Sequence, residues 1–257
     1  MKMKKYFKVA RFEINHLMKR ALFWTTFVWP LSMEGALSLL LPAKLNLSPE
    51  QLLTLVVITL LGFTAINALS IVNMFINSKS TRVGELVIGM SGYKVQYYGK
   101  LLAASLVYLL NLAASSGFLI YLGQMEGFLQ LSTWSRFELL NAGVVMLVVT
   151  IFGNILLSIL AVYVNDEDKG QVIALGYLLF VLAVCGGSVV GLMGHSSTWL
   201  LIPVVNLLGQ LSLTVWWEQL GIWGVNLFLL VSGLQVGSNY YQHNILNYAR
   251  KVGGVSE

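Results

Sequence analysis

Apolar residues run along this chain in long unbroken blocks, and charged residues gather in the short stretches between them. No Asp, Glu, Lys or Arg falls within 51–78, 101–125, 139–165, 170–217 or 219–249. Each of these runs exceeds the roughly 20 residues that carry a helix through the hydrocarbon core of a bilayer. Breakers and caps place the ends. A first span is expected at 21–41, stopping before Pro42. Ser48-Pro49-Glu50-Gln51 offers an N-cap with Pro at the first helical position, and opens a second span at 50–77. Further spans follow at 101–123, 137–163, 170–193 and 219–240. Asp168 with Gln171 three residues on fits a capping box at the start of the fifth. The expected fold is all-α: one transmembrane domain over 1–257, a polytopic membrane protein with six transmembrane helices.

Three segments depart from the plain spanning pattern. In 1–20, Met3, Phe7, Ala10, Ile14, Leu17 and Met18 recur on one helical face, with Lys4, Lys8, Arg11, Asn15 and Lys19 opposite. A basic amphipathic helix of this kind is expected to rest at the membrane interface. The stretch 194–217 is apolar but interrupted by Pro203, Asn206, Gln210, Ser212 and Thr214. It is expected to form broken or re-entrant helices on the outer side, covered by protein or lining a cavity. The polar segment 78–100 reads as a cytoplasmic loop, with Ser80–Met90 forming a short amphipathic helix.

Composition sharpens the membrane reading. The chain is 57% apolar and only 11% charged, against about 45–50% and about 25% in soluble domains. Its net charge of +5 raises the question of nucleic acid, which the location of the charges answers. Lys2, Lys4, Lys5, Lys8, Arg11, Lys19, Arg20, Lys79, Arg82, Lys94, Lys100, Lys169, Arg250 and Lys251 fall on one side of the six-span layout, and only Lys44 and Arg136 on the other. This asymmetry orients both termini to the cytoplasm and leaves no basic patch for nucleic acid. A seventh span at 198–217 would put Arg250 and Lys251 outside, against the same rule. The long charged N-terminus and the poor Leu41-Pro42-Ala43 site are not expected to be a cleaved signal peptide. The one cysteine, Cys185, lies within a span and reads as a small buried hydrophobe.

Catalytic chemistry is hard to place. Gly99-Lys100 is followed by Leu101, so no phosphate-binding GxxxxGK[ST] loop exists, and ATP hydrolysis would need a separate chain. His243-Asn244-Ile245-Leu246-Asn247 lacks the paired glutamates of an intramembrane metalloprotease. Gly186-Gly187-Ser188-Val189 breaks the GxSG of a rhomboid protease. His16, His195 and His243 have no metal-ligand spacing. The chain is read as no enzyme, with no metal site and no cofactor of its own. Glu34 lies inside the first span, where an acid is costly and marks a functional candidate. Asn67, Asn73 and Asn206 join it as candidates for a substrate path, while most other span amides (Asn111, Asn141, Asn154, Asn226) read as interhelical hydrogen bonds. Gly187/Gly191 and Gly233/Gly237 are GxxxG pairs expected at close helix contacts.

The segment Ser80-Thr81-Arg82-Val83-Gly84-Glu85-Leu86-Val87-Ile88-Gly89-Met90, followed by Gly99-Lys100-Leu101 at the third span, resembles the cytoplasmic loop of ABC-2-type permeases. Gly84, Glu85, Leu86, Gly99 and Lys100 match, while the Thr after Gly is absent and Ser91-Gly92 stands near the family's usual Pro. The interfacial helix, six spans, short fourth-to-fifth loop and broken outer segment follow the family's order over nearly the whole chain, and Ile202-Pro203-Val204-Val205-Asn206 is similar to the Ile-Pro-x-x-Asn of some members. The resemblance implies a permease in a bacterial cytoplasmic membrane that pairs with a second copy or a homologous permease. It implies cytosolic ATPase subunits that bind ATP and Mg and dock on a coupling helix, here Arg82, Gly84, Glu85, Leu86 and Ile88. The cargo would be hydrophobic or amphipathic: a peptide or bacteriocin, a lipid or a drug. A self-immunity pump against peptide antibiotics belongs to the same family. A membrane scaffold or receptor that docks a cytosolic partner without transport is the alternative from another class.

Overall fold

A computed structural model describes residues 2–19, 24, 28, 31–32, 56–62, 67–80, 92–125, 136–164, 167–193 and 216–252. These residues are helical apart from short turns, with no strand among them. The principal helices are α1 (Lys2–Met18), α2 (Ala68–Ser80), α3 (Tyr93–Met125), α4 (Arg136–Val162), α5 (Glu167–Met193) and α6 (Trp216–Val252). Residues 56–62 form a further helical stretch before α2. The loop residues Arg82, Gly84, Glu85, Leu86 and Ile88, together with Glu34 and Asn206, lie outside the described residues.

Among the described residues, Tyr93–Leu122, Arg136–Val162 and Gln219–Asn244 are long and apolar enough to cross a membrane. Their packing suits that solvent. Helix α4 touches α2, α3, α5 and α6, and its inward face holds Ala142, Val145, Gly153, Asn154, Leu157, Ser158 and Ala161. Its outward face carries exposed Phe137, Leu140, Val144 and Leu160. On α5, Val172, Leu175, Leu179 and Phe180 are exposed, and on α6 Leu220, Leu227, Phe228 and Val231 are exposed. An apolar outer surface this extensive calls for hydrocarbon or another apolar surface rather than water. The findings are those of a helical membrane protein.

Helix ends follow local chemistry. Gly92 takes a positive φ of 81°, and its carbonyl accepts the first helical bond of α3 from Gln96 N at 3.2 Å. Glycine adopts that left-handed conformation without steric cost, so α3 begins eight residues before the expected start at 101. After α4, Tyr163 N bonds Leu160 O and Val164 N bonds Ala161 O, tightening the last turn into i→i−3 form. Helix α5 already includes Glu167. Asp168 therefore sits in its first turn, where a carboxylate complements the helix dipole, and does not occupy the N-cap that the capping-box reading gave it. Helix α6 has 37 residues, about 55 Å at 1.5 Å per residue, and continues through Tyr241–Val252 without a Gly or Pro to stop it.

The largest correction concerns α1. It packs more extensively on α3 than any other pair of principal helices packs together. Ala10 and Leu17 are buried there, while Phe7 and Met18, read as members of the same apolar face, are exposed. Buried Ala10 and Leu17 are flanked by partly buried Tyr6, Glu13 and Ile14, so the inward face keeps Ala10, Ile14 and Leu17 of the expected face but is rotated toward Tyr6 and Glu13 and away from Phe7 and Met18.

Candidate functional site

Five helices, α1, α2, α3, α4 and α6, meet around the first turns of α3, and this junction is the most elaborately built place in the described structure. Its centre is an ion pair. Lys100 Nζ lies 2.8 Å from Glu13 Oε1 and donates to the Met74 carbonyl of α2 at 2.9 Å. The Lys100 side chain is 3% exposed and that of Glu13 12%. One ammonium thus ties α1 to α3 and α3 to α2. Such a pair persists out of water only when its partners are close and its remaining bonds are satisfied, and Lys100 uses two of its three donors in this way.

Gly99 makes the pair possible. A Cβ at this position would stand 2.6 Å from Val9 Cβ and Cγ1 and 3.3 Å from the Tyr6 carbonyl oxygen. The α1 backbone therefore crosses α3 over a missing side chain, which sets Glu13 within reach of the next residue, Lys100. Gly99-Lys100 acts as one unit, the glycine giving access and the lysine giving attachment.

A chain of rings completes the junction. Tyr6 of α1 meets Tyr98 edge-on at 6.3 Å, and Tyr98 meets Tyr97 at 5.3 Å. Tyr97 in turn contacts Phe75 of α2 at 6.1 Å and Tyr241 of α6 at 5.5 Å, and Phe75 and Tyr241 close the triangle at 6.1 Å. All are separations at which aromatic pairs attract. Tyr97, Phe75 and Tyr241 are fully buried. The Tyr97 hydroxyl shares a 3.0 Å hydrogen bond with Ser158 Oγ of α4, and Ser158 donates to Ile155 O at 2.7 Å. About two helical turns beyond Tyr97 on α3, Ser105 Oγ accepts from Asn154 Nδ2 at 3.2 Å, so α3 and α4 run antiparallel with a polar seam between them.

The glycine pair on α6 belongs to the same junction. A Cβ on Gly237 would collide with the Tyr97 hydroxyl, approach Tyr97 Cζ to 2.9 Å and meet Ile159 Cγ1 at 3.3 Å. Gly233 faces Ile155 Cγ2 at 3.2 Å. Gly237→Ala is expected to displace the Tyr97 ring, break its bond to Ser158 and cost about 1–3 kcal/mol by overpacking. A thermal unfolding midpoint equal to that of the wild type in the same detergent would contradict this. Gly187 and Gly191 lie within α5.

Of the residues proposed for a substrate path, Asn67 is fully buried just before α2, and neither amide atom has a hydrogen-bond partner among the described residues. Asn73 Oδ1 is similarly buried and would stand 3.8 Å from a Cβ on Gly170 of α5. The structure does not bring either into the junction. Conversely, Glu13, Tyr97, Phe75, Ser158 and Tyr241 carry the junction and were not singled out from sequence. Glu13 had one available signal: it is the only acid in α1 and falls at heptad spacing between Tyr6, Ala10 and Leu17. No group of His, Cys, Asp or Glu suited to a metal occurs among the described residues. No protein-family model, curated protein or solved structure matches the chain.

Proposed function

We propose that this chain is the membrane permease of an ATP-driven exporter of the ABC-2 type, with six spans and both termini in the cytoplasm. It moves a hydrophobic or amphipathic cargo between two permease copies while a separate subunit hydrolyses ATP. The observation that carries the reading is the attachment of segment 81–92. This segment leaves α2 and enters α3, and those two helices are joined to each other and to α1 through Lys100. A push delivered to the segment by a docked ATPase reaches three helices as one body, because Gly99, Lys100 and Glu13 hold them together. The family-like Gly99-Lys100 pair thereby acquires a mechanical role.

In this mechanism Arg82, Gly84, Glu85, Leu86 and Ile88 form the docking element. Its apolar side enters a cleft of the ATPase, and Glu85 fixes the register as the anchor charge. Movement then passes through the Glu13–Lys100 clamp and the Tyr97 rings to α4 and α6. Glu34, Asn67, Asn73 and Asn206 remain candidates for contacts with the cargo's polar groups.

The test is Glu85→Lys in a chain expressed in its native host, where this reading requires an ATPase subunit to co-purify with the wild type. The variant is expected to insert and pair with its second copy normally, yet to lose ATPase co-purification or to hydrolyse ATP without transport. Full ATPase stoichiometry together with normal transport would remove Glu85 from the coupling site. An absence of any co-purifying ATPase with the wild type would favour the scaffold alternative.

A further inference from the structure

We propose that the outward face of α1 is a docking surface for anionic phospholipid headgroups. This goes beyond the permease reading and does not rest on it, requiring only that the bundle sit in a bilayer. The clamp at Glu13 and Gly99 fixes which side of α1 turns away from α3. That side exposes Lys4, Lys5, Lys8, Arg11 and Lys19. Glu13 is the only acid in α1, and its carboxylate is held by Lys100. The outward face is therefore uniformly positive, with no carboxylate of its own helix to compensate it.

Charge alone would suit an acidic protein as well as a lipid, and the apolar residues decide between them. Phe7 and Phe12 are 55% and 59% exposed among the lysines, and Met18 is 40% exposed at the end of the helix. Trp24, exposed and donating from Nε1 to Met18 O at 3.0 Å, extends the face toward the next apolar run. Rings and a thioether interleaved with cations match a headgroup region, where phosphate meets the ammonium groups and acyl chains begin beneath them. The bundle on which α1 packs has exposed apolar residues of its own, Leu110 and Tyr121 on α3 among them. Because α1 is already locked in place, docking orders little more than side chains.

The full chain, purified in mild detergent, is exposed to equal concentrations of phosphatidylglycerol and phosphatidylcholine, and retained lipid is counted by native mass spectrometry. Each near-surface Lys or Arg contributes about fivefold at an anionic surface, so with partial screening a preference of about tenfold for phosphatidylglycerol is expected. Lys4→Gln, Lys8→Gln and Arg11→Gln together should bring it to within about twofold of parity. Lys94→Gln, a basic position off α1, should leave it unchanged, as should the charge-keeping set Lys4→Arg, Lys8→Arg and Arg11→Lys. Raising NaCl from about 0.1 M to about 0.5 M should erode the wild-type preference, which tests the idea even where the triple variant fails to insert. Equal retention of the two lipids by the wild type, or a preference insensitive to salt, would overturn the proposal and leave the face to an acidic protein. Displacement by inorganic phosphate beyond that by NaCl of equal ionic strength would overturn it in favour of a free-phosphate site.

Discussion

Glu13→Ala is expected to destabilise the protein by about 3–5 kcal/mol, the usual consequence of leaving one member of a buried ion pair without its partner. The Lys100 ammonium would keep only the Met74 carbonyl while still enclosed by α1, α2 and α3. Lys100→Met should cost less, because the orphaned Glu13 carboxylate is 12% exposed and can turn toward water. The double variant Glu13→Leu with Lys100→Met removes both charges and is expected to fall within about 1 kcal/mol of the wild type, since a well-packed apolar pair often replaces a buried salt bridge without loss. Unfolding by a denaturing detergent from mixed micelles measures all three. The decisive quantity is the coupling between the two sites: if the single losses simply add in the double variant, the pair is not the clamp described here. Losses below about 1 kcal/mol for both single variants would instead match an exposed ion pair.

The same pair explains where the sequence could be read and where it could not. The all-helical character was legible because the charge-free runs are too long for anything else, and α4 and α5 begin and end within a few residues of the expected spans. The start of α3 was not. A lysine at the head of an apolar run normally marks the membrane boundary, which put the loop's end at Lys100. That signal assumes the charge needs water, and Glu13 supplies what water would. The inward face of α1 was read only in part, with Ala10, Ile14 and Leu17 placed correctly, for the matching reason. A hydrophobicity pattern counts Glu13 as a surface position, so it selected Phe7 and Met18 in place of Tyr6 and Glu13. Each half of the pair hides the other, since neither misplaced residue is explicable until both are seen together. The aromatic triangle was invisible for another reason: Phe75, Tyr97 and Tyr241 are far apart in sequence, and no periodicity links residues on three different helices. Helix α6 runs on past the span expected at 219–240 because none of Tyr241, Gln242, His243 and Asn244 breaks a helix. The loop residues Arg82, Gly84, Glu85, Leu86 and Ile88 stay where the resemblance put them, as a proposal carried by the attachment of their neighbours.

Gly99→Leu is expected to detach α1, with a loss exceeding about 3 kcal/mol when overpacking and the broken ion pair act together. Two of the atoms facing position 99 belong to the Val9 side chain, but the third is the Tyr6 carbonyl oxygen, part of the α1 backbone. A backbone oxygen cannot rotate aside as a side chain does. The added isobutyl group must therefore lift α1 as a body, and lifting it draws Glu13 away from the very next residue of α3. The two effects share one displacement, so they should not be additive. Gly117→Leu is the control on the same helix: nothing lies within 4 Å of a Cβ there, and losing a glycine from a helix interior should stabilise by up to about 1 kcal/mol. Trypsin provides a local readout, because cleavage after Lys8 or Arg11 requires α1 to open even though both side chains are exposed. Faster release of the N-terminal peptide from Gly99→Leu, with Gly117→Leu unchanged, is the expected result. Equal cleavage rates for Gly99→Leu and the wild type would mean that α1 crosses α3 with room to spare, and the glycine at the head of the Gly99-Lys100 pair would lose its role in holding the clamp closed.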